Sequence, residues 1–116
     1  MSTARRHRPL LRDLAPVFAD ELTGALEAEG EAALASQVAD LRVLSFCGCG
    51  DPDCASFTTR GVTERDPAQQ ADTIPLDQLP GMVHVDVLDG RIVYVEVMYR
   101  PELKTLLRSG FSNGRL

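Results

Sequence analysis

The chain has 116 residues, 44% of them hydrophobic, with 5% aromatic and no tryptophan. That length supports one domain whose aliphatic core needs no disulfide staples. No apolar run approaches the ~20 residues that cross a bilayer, and a net charge of −5 argues against a surface that follows nucleic-acid phosphates.

The charge is uneven. Arg5, Arg6, Arg8 and Arg12 stand together without an acid, which leaves 8 basic against 17 acidic residues elsewhere. Residues 1–8 read as a flexible basic head. The head lacks the apolar stretch and small-residue cleavage site of a secretory signal, which predicts a cytoplasmic protein. The odd count of three cysteines agrees with a reducing compartment.

From Pro9 to Leu41 the pattern is helical. Val17, Phe18, Leu22, Ala25 and Leu26 recur at three- and four-residue spacing and predict one apolar face. Asp13 suits an N-cap, Pro16 a first turn, and Gly30 a stop before a shorter helix through Leu34, Val38 and Leu41. The period then changes. Val43–Cys47 and Ala55–Arg60 predict two strands joined by the cysteine segment. Residues 61–81, punctuated by Pro67, Pro75, Pro80 and Gly81, read as a long loop with a short extended piece around Ile74.

Val83–Tyr99 is a β-hairpin turning at Asp89-Gly90. A three-residue loop, Leu88-Asp89-Gly90, would pair Val87 with Arg91 and His84 with Tyr94. It would put Val83, Val85, Val87, Val93, Val95 and Val97 on one face, and burial favours that register over a two-residue loop. His84, Asp86, Tyr94, Glu96 and Met98 take the other face. Pro101–Arg108 fits a closing helix that stops at Gly110, with residues 109–116 as a flexible tail. The expected fold is α+β: a single domain over residues 9–108, with N-terminal helices on an antiparallel sheet of about four strands.

The three cysteines fall within Cys47-Gly48-Cys49-Gly50-Asp51-Pro52-Asp53-Cys54. Residues two apart on extended backbone face the same way, so Cys47 and Cys49 lie roughly 6.6 Å apart at Cα. Asp51-Pro52-Asp53 is turn chemistry that returns Cys54 toward them. Three converging thiolates suit zinc or another soft metal, with His84, a loop aspartate or water as fourth ligand. A disulfide between Cys54 and one of the pair is the redox alternative. Asp51 and Asp53 oppose it, because negative neighbours raise a thiol pKa and no Lys or Arg is near in sequence. The bland alternative is a glycine-rich turn whose cysteines are small hydrophobes. His84 with Tyr94 and Glu96 is also ordinary for an exposed sheet face. No phosphate-cradling glycine motif, serine elbow or carboxylate pair marks an enzyme.

The run Cys-Gly-Cys-Gly-Asp-Pro-Asp-Cys-Ala-Ser-Phe, with the later Asp-Gly-Arg-Ile-Val hairpin, resembles a group of small actinobacterial hypothetical proteins. The resemblance spans roughly residues 9–108 and implies a stand-alone bacterial domain without implying a catalytic role. The function preferred on sequence is therefore a non-catalytic binding or interaction domain. Metal binding through Cys47, Cys49, Cys54 and His84 is the first alternative and thiol-redox chemistry the second. An unpaired sheet edge offers a route to a homodimer or a protein partner.

Overall fold

A computed structural model describes residues 8–60 and 72–113. Most of the basic head, the stretch 61–71 of the expected loop and the last three residues of the expected tail lie outside the described residues.

The N-terminal helices are shaped by their punctuation. Helix α1, Leu11–Leu14, is one turn. Pro16 opens α2, Pro16–Ala28, at its first position, where a missing N–H costs nothing. Ala15, not Asp13, is the N-cap, and no side chain caps it. At the other end Gly30 has φ +80. The Glu31 N–H donates to the Leu26 carbonyl and the Gly30 N–H to that of Glu27, which closes the helix in a Schellman motif. Beyond it the expected second helix is two short pieces, α3 at Ala32–Ala35 and a 3-10 turn at Val38–Asp40. Helix α2 buries Phe18, Leu22, Ala25 and Leu26 as its spacing predicts, but Val17 is 72% exposed. It lies beyond the edge of the stripe.

Among the described residues the sheet has five antiparallel strands, one more than expected. They are β1 Ser45–Phe46, β2 Phe57–Thr58, β3 Asp72–Pro75, β4 Met82–Leu88 and β5 Arg91–Met98, in the order β1-β2-β5-β4-β3. The extra strand is β3, the piece around Ile74, which pairs with β4 from Asp72 opposite Val87 to Pro75 opposite His84.

The hairpin corrects the sequence reading. Asp89 and Gly90 both have positive φ, 53° and 74°, the signature of a two-residue I′ turn. Leu88 therefore faces Arg91, and Val87 faces Ile92. The ladder then shifts by one: Asp86 faces Tyr94, Val85 faces Val95 and Val83 faces Val97. Val93 is the extra residue of a β-bulge. Valines at odd positions on both strands cannot share a face across a two-residue turn unless one residue is spare. A three-residue loop would solve this, and so does a bulge. The Asp-Gly dipeptide favours the tight turn, so the spare residue moves into the strand.

The sheet's inner face carries Val83, Val85, Val87, Ile92, Val95 and Val97 into one core with Phe18, Leu22, Leu26 and Phe57. Val93 is buried but outside that cluster. Each buried valine contributes ~1.5–3 kcal/mol, so this face dominates folding.

Helix α4, Pro101–Asn113, runs past the expected boundary at 108 and through Gly110. A Cβ on Gly110 would stand 2.6 Å from Leu14 Cδ2; this glycine allows close packing on α1 instead of ending the helix. Phe111 then meets Phe46 edge-on, centroids 5.1 Å apart. Arg100 ties the hairpin end to α2. Its buried guanidinium bonds Glu21 at 2.9 Å and the Pro80 carbonyl at 3.2 Å, and lies over Phe18.

Candidate metal centre

The cysteine turn hangs from the sheet by three backbone bonds. The Cys47 N–H donates to Ser56 O at 3.0 Å, and the Ala55 N–H to Val97 O at 2.8 Å. These hold its two ends on β2 and β5. Within it, Gly50 takes φ +79, a value that L side chains resist. The Cys54 N–H donates to Asp51 O at 3.1 Å, and the Asp53 N–H to Asp51 Oδ1 at 2.9 Å. Asp51 thus builds the turn its sequence predicts. From outside, the Tyr99 N–H reaches Asp53 O at 3.0 Å. Tyr99 has φ +66 to do so, a strained conformation for a bulky residue.

This frame brings the sulfurs of Cys47, Cys49 and Cys54 within 4.8 Å of one another. All three are free thiols, with Cys54 buried, Cys47 half-buried and Cys49 exposed. Cys54 is further fixed by Ser56. Its Sγ lies 3.3 Å from Ser56 Oγ, which also accepts the Val97 N–H at 2.9 Å.

His84 is not part of the group. It lies on β4, beyond β5 from β2, and its Nδ1 stands 3.7 Å from Glu96 Oε1, directly across the ladder. Its cross-strand partner is therefore Glu96 and not Tyr94, a consequence of the bulge. The loop aspartates do not join either: among the described residues the cluster holds the three cysteines alone.

Two residues that sequence reasoning missed shape the electrostatics. Tyr94 is the first. By alternation it lies on the outer face of β5, and its hydrogen bond to Cys47 is the main cause lowering that thiol's pKa, followed by bonds from the Cys49 backbone and side chain. Burial and the same bond to Cys47 push the Tyr94 phenol up, so it remains a proton donor across the physiological range. Cys49 moves the other way. A backbone hydrogen bond at Asp51 lowers its pKa, but interactions with the Cys47 and Cys54 side chains outweigh it and leave the thiol raised. Lys104 is the second missed residue. From α4 its Nζ donates to Pro52 O at 2.9 Å. The expectation that no cation is near the turn holds along the chain and fails in space. Nothing in the sequence links position 94 or 104 to the cysteine turn; the strand order and the docking of α4 do.

Chemically, the arrangement offers three thiols at one point, the Cys47 thiol with a lowered pKa and the Cys49 thiol with a raised one. No family model, no curated protein and no solved structure matches this chain.

Proposed function

We propose that the protein binds a thiolate-seeking cation, zinc or a metal of similar softness, through Cys47, Cys49 and Cys54. The observation that carries this reading is the convergence of three sulfurs within 4.8 Å. A tetrahedral zinc site with Zn–S bonds of ~2.3 Å needs sulfurs roughly 3.8 Å apart. Exposed Cys49, between Gly48 and Gly50, has the backbone freedom to close that gap. Because Cys49 is exposed, water or an incoming ligand would be able to complete the coordination. The protein's contribution is to gather three sulfurs and to favour the thiolate of Cys47, whose pKa the Tyr94 hydrogen bond lowers. Such an ion would brace the turn against the sheet, a binding role that needs no catalysis.

The test is metal content. The full chain, purified without an affinity tag and kept reduced, is equilibrated with zinc and, in parallel, cobalt. One equivalent of zinc and a cobalt–thiolate charge-transfer band are expected, and Cys49→Ser should weaken zinc by more than about 100-fold. Affinity should also fall as pH falls, because protons compete for the thiolates. Stray metal only, with every thiol reduced, removes the proposal.

A further inference from the structure

A second site lies away from the cysteine turn and shares no residue with it. A cavity of about 500 Å³ opens where the 3-10 turn and the chain entering β1 face the end of β2 and the start of β5. Arg42, Arg60 and Arg91 line it, with Asp40 as the one carboxylate among its described lining residues. Its accessible apolar wall includes Ala33 and Leu44.

The charge is out of keeping with the chain. A protein of net charge −5 lines one concave space with three arginines from three separate segments. Arg42 is held in place, since its Nη1 donates to the Arg8 carbonyl at 2.6 Å. Among the described residues, no carboxylate comes within 4 Å of the side-chain nitrogens of any of the three. Like charges drawn together in a recess repel more than they would on an open surface, and an anion between them relieves that repulsion. Guanidinium forks match phosphate and carboxylate oxygens in pairs. The volume is that of a small-molecule site.

We propose that this cavity binds a small organic anion. Its phosphate or carboxylate group lies between Arg42, Arg60 and Arg91, its apolar body rests on Ala33 and Leu44, and a hydroxyl or amino group donates to Asp40.

The test uses the full ¹⁵N-labelled chain at constant ionic strength, titrated with phenyl phosphate, benzoate and neutral benzyl alcohol. Their shared ring isolates the contribution of the anion. Saturable amide shifts centred on Arg42, Arg60, Arg91 and Ile92 are expected from at least one anion. Tighter binding of phenyl phosphate assigns a phosphate ligand, and tighter binding of benzoate a carboxylate. Arg60→Gln and Arg91→Gln should each weaken binding roughly tenfold, the loss of a charge-assisted hydrogen bond. Arg108→Gln, over Phe46 and away from the cavity, should leave it unchanged. The proposal is overturned if neither anion saturates, if benzyl alcohol binds as well, or if both cavity variants bind with wild-type affinity while keeping a native spectrum.

Discussion

The β4–β5 hairpin and the cysteine turn sit on the same sheet and are held by opposite means. The hairpin is specified redundantly: five valines and Ile92 all prefer one face, so no single hydrogen bond decides it. The cysteine turn buries little. It depends on single ties, such as the Tyr99 N–H to Asp53, Lys104 to Pro52 and Ser56 to Val97. Redundant burial gives stability, while sparse polar ties give a geometry that can tighten around a ligand. The fold is built by the first region and the chemistry by the second.

The comparison breaks first at Val95, which is fully buried opposite Val85. Val95→Asp forfeits ~1.5–3 kcal/mol of burial and leaves an unpaired buried charge worth roughly 3–5 kcal/mol. Against a typical stability of ~5–15 kcal/mol the chain should lose its native circular dichroism. A soluble, cooperatively folding variant would refute the register.

Deletion of Val93 sharpens the same point from the other side. Removing the spare residue keeps Val85 opposite Val95 and restores strict alternation, with Ile92 inward, Tyr94 outward and Val95 inward. The cost should be only about 1–2 kcal/mol in urea unfolding, chiefly from the lost bond of the Thr59 N–H to Val93 O. Global unfolding would show that the bulge is needed for more than register.

The smallest effect belongs to the turn. Tyr94→Phe removes the hydroxyl that lowers the Cys47 thiol pKa. Thermal stability should barely move, but the pH profile for alkylation of Cys47 should shift to higher pH, because less thiolate is present at a given pH. In the wild type, Cys47 should ionise at lower pH than Cys49. An unchanged profile would remove Tyr94 from the site.

Much of the architecture was legible in the chain because local chemistry is short-ranged. Pro16 and Gly30 bound a helix through their own backbone limits, and Asp89-Gly90 forms a turn whatever surrounds it. The clustering of Cys47, Cys49 and Cys54 around Asp51-Pro52-Asp53 likewise predicts that their sulfurs meet. Alternation alone favoured a three-residue loop for the valine parity problem, and the tight Asp89-Gly90 turn with a bulge at Val93 solved it instead. His84 was a plausible ligand by residue type alone, and Gly110 a plausible stop by composition alone.

What the sequence determined by itself was therefore the α+β class, the inward placing of Val83, Val85, Val87, Val95 and Val97, and the meeting of the three cysteines. Each follows from alternation or turn chemistry within a few residues. The tertiary structure alone decided that Tyr94 and Lys104 flank the cysteine turn, that His84 faces Glu96 and that three arginines line one cavity. Those contacts join residues far apart in the chain, and strand order and helix docking, which no local pattern encodes, bring them together.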